Sequence, residues 1–150
     1  MTEACHLLGR PYNPGPYTRQ EIREILESLC ALGPKMAVLT GVWVKEGSLG
    51  TACYDSSIGE AHLYLTDRIE GFYHGTGDLF ASALLGALLN GASLRDACGV
   101  ATEYTWRTIE TTFEKSKDHR FGPKFECHLP WLASKMEECR KSIANKTGNL

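Results

Sequence analysis

The chain has 150 residues, 16 Lys and Arg against 18 Asp and Glu, a net charge of −2 and a pI near 6.2. That balance argues against a nucleic-acid surface, and the length is that of one domain able to bury a real core. No signal peptide or membrane segment is visible, so neither nucleic acid nor a membrane is expected as a partner.

Six cysteines stand at 5, 30, 53, 98, 127 and 139, with no Cys-x-x-Cys spacing. They read as reduced core thiols of a cytoplasmic protein. The five histidines show no metal spacing. The adjacent pairs Cys5-His6 and Cys127-His128 point in divergent directions and chelate poorly.

Taken in order, Thr2 to Leu8 reads as the end of a loop and a short helix stopped at Gly9. Arg10–Tyr17, rich in Pro and Gly, is a loop. Thr18-Arg19-Gln20-Glu21 is a capping box. The helix after it places Ile22, Ile25, Leu26 and Leu29 on one face, and Gly33-Pro34 stops it. Met36–Thr40 is a short apolar run that reads as a strand buried on both faces, as in a parallel sheet, ended by Gly41. Leu49–Tyr54 and Ala61–Thr66 alternate, with a turn-rich Asp55–Gly59 between them, and read as an antiparallel hairpin at a sheet edge.

From Gly71 to Gly91 the chain is organised around one helix. Leu79, Phe80, Ala81, Ala83, Leu84, Leu85, Ala87, Leu88 and Leu89 are apolar on nearly every face, so the helix is expected to be buried. It is too short for a membrane span. Asn90-Gly91 closes it. It opens at Gly75-Thr76-Gly77 with Asp78 at its mouth. The first amides of a helix lack internal acceptors, the dipole makes that end positive, and glycines admit an anion close to the backbone. The same four residues are equally a tight turn with Asp78 capping the helix. They are not a Walker A loop, since no Gly-Lys-[Ser/Thr] follows.

Ser93-Leu94-Arg95-Asp96 is a second capping signal. Leu94, Ala97, Cys98, Ala101, Tyr104, Ile109 and Thr112 mark one stripe of a helix to about Phe113. Lys115–Arg120 reads as charged loop. Phe121–Met136 holds a final short helix carrying Leu129, Trp131, Leu132 and Met136, and the polar tail from Lys141 to Leu150 is expected to fray.

His74-Gly75-Thr76-Gly77-Asp78-Leu79-Phe80, following Asp67-Arg68-Ile69-Glu70-Gly71, resembles the pyridoxal/pyridoxamine kinases of the ribokinase-like superfamily. The likeness runs from Thr2 to about Phe125. It includes Thr2-Glu3-Ala4, Leu7-Leu8-Gly9 and Val38-Leu39-Thr40-Gly41. The fold it implies is α/β, the C-terminal half of a Rossmann-like three-layer domain. Residues 1–140 would form the nucleotide-binding and catalytic half, and 141–150 a polar tail.

The activity implied is transfer of the γ-phosphoryl of ATP to the 5′-hydroxymethyl group of pyridoxal, pyridoxamine or pyridoxine. Asp78 would be the general base, a role that needs it ionised, as a helix N-terminus favours. The amides of Gly75, Thr76 and Gly77 would form the anion hole. Thr40 and Gly41 match the turn that contacts nucleotide phosphate, and Ile69 and Phe80 match positions that wall the adenine, for which core packing is the alternative. Glu3 matches the glutamate of the family's Asn-x-x-Glu motif, which supports magnesium, often through water. Potassium is commonly used by the family.

The chain departs from the pattern at its first residue. Met1 falls inside Asn-x-x-Glu, whose asparagine has no counterpart here, and no positions match the vitamin-binding half. The expectation is therefore a fragment of a longer kinase that pairs with itself or with the other half, and that phosphorylates pyridoxal slowly or not at all. A related kinase acting on a hydroxymethylpyrimidine or a sugar is the alternative within enzymes. A non-catalytic remnant that binds nucleotide or a partner chain is the alternative outside them.

Overall fold

The computed structural model describes residues 1–115 and 122–147, with side chains through Lys141. The chain divides into two compact units, Met1–Arg68 and Ile69–Leu150.

The first unit comprises α1 (Thr2–Leu7), α2 (Arg19–Ala31), β1 (Met36–Val42), β2 (Ser48–Asp55) and β3 (Glu60–Asp67). The capping box starts α2 as expected. Thr18 Oγ1 accepts from the Glu21 amide at 3.1 Å, and the Glu21 carboxylate accepts from the Thr18 amide at 2.7 Å. The Thr18 amide, and after it the Thr18 hydroxyl, both donating to the Glu21 carboxylate, hold that carboxyl below its ordinary pKa. Ile22, Ile25 and Leu26 then face Ala37, Leu39, Val42 and Ala52 of the sheet, with Ala4 and Tyr17 completing the core.

The sheet has the order β1-β2-β3 and is antiparallel throughout, so the expected hairpin is present, with β3 at an edge. The expectation for Met36–Thr40 is corrected. This strand runs on to Val42 and pairs antiparallel with β2. It is buried on one face only: Ala37, Leu39 and Val42 are covered, whereas Met36 and Thr40 are exposed. A short apolar run fits both kinds of strand, and its length cannot separate them.

Gly41 does not end β1 but forms a bulge in it. Thr40 pairs with Thr51 and Val42 with Gly50, leaving Gly41 between them at φ 69°. The extra residue returns Val42 to the buried face. Gly50 lies where β2 and β3 approach closely, and a Cβ there would sit 1.8 Å from the Tyr64 carbonyl oxygen. Gly50→Ala is therefore expected to force the hairpin apart. It should destabilise the chain by about 1–3 kcal/mol or more, read as a lower urea midpoint.

The second unit comprises α3 (Thr76–Leu89), α4 (Leu94–Lys115), a 3-10 turn at Phe125–His128 and α5 (Leu129–Thr147). Asn90 and Gly91 close α3 as expected. The Ala92 amide donates to the Ala87 carbonyl and the Gly91 amide to Leu88, with Gly91 at φ 85°. Ser93 caps α4, accepting from the Asp96 amide at 3.1 Å.

On α4, Thr108 is buried where Ile109 was expected, because its hydroxyl donates to the Tyr104 carbonyl at 2.8 Å. Tyr104, 1% exposed, stacks on Trp131 at 6.5 Å between ring centres, and its hydroxyl reaches the Phe125 carbonyl at 3.3 Å. These contacts hold the 3-10 turn and α5 against α4.

Three expectations change in this unit. First, α3 is not buried all round: Phe80, Ala83 and Ala87 are covered, while Leu85 and Leu89 are 56% and 78% exposed. Within this unit α4 and α5 pack against α3, and Leu79, Leu84 and Leu88 are only half-buried. Second, the final helix is 19 residues long and takes in the expected tail as far as Thr147. Third, Cys127 is exposed rather than in the core. All six cysteines are free. The expected loop after Lys115 lies outside the described residues.

Candidate active site

Gly75 precedes α3 at φ 85°, a backbone conformation that other residues adopt only with strain. The turn before it is tied to the helix by Thr76, whose hydroxyl donates to the Tyr73 carbonyl at 3.0 Å. The Leu79 amide donates to the Gly75 carbonyl at 3.0 Å. The amides of Thr76, Gly77 and Asp78 precede that bond and have no intrahelical carbonyl to serve.

A Cβ on Gly77 would meet nothing within 4 Å. The protein's own packing therefore gives no reason for glycine at this position, whereas an incoming anion does. On the other side of the turn, Pro123 would lie 4.0 Å from a Cβ on Gly75.

Asp78 sits in the first turn of α3 and is exposed. It does not cap the helix, since no side chain does so, and the capped-turn alternative is not what forms. Among the described residues no hydrogen bond or ion pair engages its carboxylate, which is exposed.

Glu3, Thr40 and Gly41 belong to the first unit. The amino group of Met1 donates to the Thr40 carbonyl at 3.2 Å and lies 3.8 Å from the Glu3 carboxylate, so Glu3 and Thr40 flank one point at the end of β1. Thr40, Gly41 and Glu3 are all exposed. Ile69 and Phe80 belong to the second unit, where Ile69 is half-buried and Phe80 is 6% exposed.

No group of three or more metal-ligating side chains gathers among the described residues. Glu3 is a single exposed carboxylate. This donor set fits magnesium, which keeps several waters and is held by one or two carboxylates together with substrate phosphates.

The residue that sequence reasoning missed is Tyr73, which is buried while Gly71, Phe72, His74 and Gly75 around it are exposed. Its signal was slight: one aromatic in a glycine-rich turn, indistinguishable by pattern from its neighbour Phe72.

A glycine turn at a helix N-terminus, with an exposed carboxylate beside it, is a place where helix amides can face an anion. The chain belongs to the phosphomethylpyrimidine kinase family, whose sequence profile matches residues 1–123. Its fold is ribokinase-like, as the resemblance implied.

Two crystal forms of a Bacteroides thetaiotaomicron protein assigned as a phosphomethylpyrimidine kinase are similar at 30% identity. The form with pyridoxal gives a TM-score of 0.80 over 88% of this chain and 46% of that one. The rhombohedral form gives 0.78 over 83% and 43%. Pyridoxal kinase from Lactobacillus plantarum gives 0.71 at 28% identity, over 91% of this chain and 47% of that one. The chain thus spans less than half the length of these relatives. No curated protein matches it.

Proposed function

We propose that this chain carries the phosphate-binding and general-base part of an ATP-dependent kinase that phosphorylates a hydroxymethyl group on a pyridine ring, with pyridoxal, pyridoxamine and pyridoxine as substrates. The observation that carries the reading is the pairing of an unobstructed Gly77 with an exposed Asp78. The turn amides donate hydrogen bonds to the oxygens over which the transferring phosphoryl group's charge is spread, and Asp78 takes the proton of the attacking hydroxyl.

Glu3 would support the nucleotide's magnesium through water, and Thr40 and Gly41 would contact the nucleotide phosphate. When bound, that ion neutralises phosphate charge. Phe80 supports the adenine wall from inside the helical unit rather than from its surface, and Ile69 is the more accessible of the two. The Bacteroides relative solved with pyridoxal and the Lactobacillus pyridoxal kinase support the pyridine substrate. The family's name supports hydroxymethylpyrimidine as the second reading. Six free thiols fit a cytoplasmic setting.

The uncovered face of α3 supports pairing with a second copy or with a chain supplying the rest of the fold. Sedimentation showing a compact monomer that binds no apolar dye would remove that part of the proposal.

The test is ADP release from MgATP with each B6 vitamer and with hydroxymethylpyrimidine, alongside calorimetric titration of MgATP. The expected result is MgATP binding, with turnover that favours pyridoxal and stays well below the roughly 1–100 per second of typical kinases. Repeating the assay in sodium instead of potassium tests the monovalent cation. Absence of both binding and turnover would overturn the proposal.

A further inference from the structure

Six residues, Glu70 to Gly75, separate the start of the second unit from its first helix, and one side chain braces them. Gly71 has φ 126°, and the Tyr73 ring packs so closely on it that a Cβ there would lie 3.0 Å from the ring and 3.0 Å from its hydroxyl. The Tyr73 hydroxyl donates to the Glu70 carbonyl at 2.9 Å. Its own carbonyl accepts from the Thr76 hydroxyl at 3.0 Å. Burial raises the hydroxyl's pKa, so it stays protonated as a donor. On the outer side, Phe72 and His74 meet edge to face at 4.8 Å and are both exposed.

We infer that Tyr73 is a positioning residue for the anion site, fixing the turn so that the amides of Thr76 and Gly77 point together at one phosphate. The inference rests on the phosphate-binding reading of the Gly75–Asp78 turn. The contacts of Tyr73 with Glu70, Gly71 and Thr76 span the segment from Glu70 to Thr76. The ring supplies bulk that shapes the bend at Gly71. The hydroxyl ties the start of the bend to its middle, and the Tyr73 carbonyl ties the middle to the first residue of α3. A loop so closed loses little freedom when an anion arrives, which is how preorganisation raises affinity.

The test compares the full chain with Tyr73→Phe, which keeps the ring and removes only the hydroxyl. Calorimetric titration uses three probes: MgATP, inorganic tripolyphosphate and adenosine. One neutral hydrogen bond lost from the brace is expected to weaken MgATP and tripolyphosphate alike by about fivefold, with adenosine binding unchanged. Thr76→Val, which removes the other bond of the brace, should show the same selectivity. Equal weakening of all three probes would mean a general loss of structure and would overturn the inference, as would unchanged tripolyphosphate affinity in both variants. If the unaltered chain binds neither MgATP nor tripolyphosphate, the phosphate-binding reading falls and Tyr73 has nothing to position. Binding by the unaltered chain with no effect of either variant sinks the role of Tyr73 alone.

Discussion

Asp78→Asn is expected to lower phosphoryl transfer to pyridoxal by about 10²–10⁴-fold, the usual range for loss of a positioned general base. The amide has nearly the same shape as the carboxylate but cannot take the proton of the hydroxymethyl group. Because Asp78 is exposed and no described side chain leans on it, the substitution leaves no buried partner unsatisfied, and stability should change by less than about 0.5 kcal/mol. MgATP affinity should hold or rise, since a negative charge beside the γ-phosphate is gone. Paired measurements of turnover and of MgATP binding read the two effects separately. A variant that keeps its turnover would show that the proton goes elsewhere. One that loses MgATP binding and turnover together would show that Asp78 holds the fold of the turn rather than the proton.

Gly77→Leu is expected to separate binding from stability in the opposite sense to a core mutation. A side chain at Gly77 enters open space, since nothing lies within 4 Å of its Cβ. Leucine is also the better helix former, by roughly 0.5–1 kcal/mol in a helix interior and less in the first turn. The thermal midpoint should stay level or rise slightly. The added side chain occupies the ground in front of the Thr76 and Gly77 amides, where the phosphate is to sit. Charge-assisted hydrogen bonds contribute about 1.5–3 kcal/mol each, so displacing the anion from one or two of them should weaken MgATP by about 10- to 100-fold or more. Calorimetry and thermal melting of the same protein read both sides. Undiminished MgATP affinity would place the phosphate somewhere other than this helix N-terminus. The contrast with Gly75 is instructive, because there φ 85° makes any substitution strained whether or not a ligand binds.

Local signals in the sequence carried through to the structure where the interaction spans only a few residues. The Thr18–Glu21 box, the Ser93 cap and the closure of α3 at Asn90-Gly91 are each made by groups within about one turn of each other. The Asp55–Gly59 connection and its two strands also formed as read, with register from Ser48↔Asp67 to Asp55↔Glu60. The glycine turn and Asp78 were legible for the same reason, since a helix start with small residues before it is a local event.

Readings that depend on distant neighbours were the ones that moved. Met36–Thr40 carries the composition of a strand buried twice, yet the strand that forms is covered on one face only, and its pairing with β2 is antiparallel. The chain from Leu79 to Leu89 is apolar enough to be covered on every side, but only Phe80, Ala83 and Ala87 are. The role of Tyr73 also lay beyond reading. Nothing in Phe72-Tyr73-His74 says which aromatic turns inward, until the ring is seen lying on Gly71.

By itself, the amino-acid order determined the capped helices, the hairpin, the glycine turn and the acid beside it, because each is built from contacts between near neighbours. The tertiary structure alone decided which faces of β1 and α3 are covered, that Gly41 bulges rather than stops its strand, and that no described side chain engages the Asp78 carboxylate. Those outcomes depend on groups far apart in the chain, and hydrophobic burial is non-directional: composition states how much apolar surface there is to cover, and only packing states what covers it.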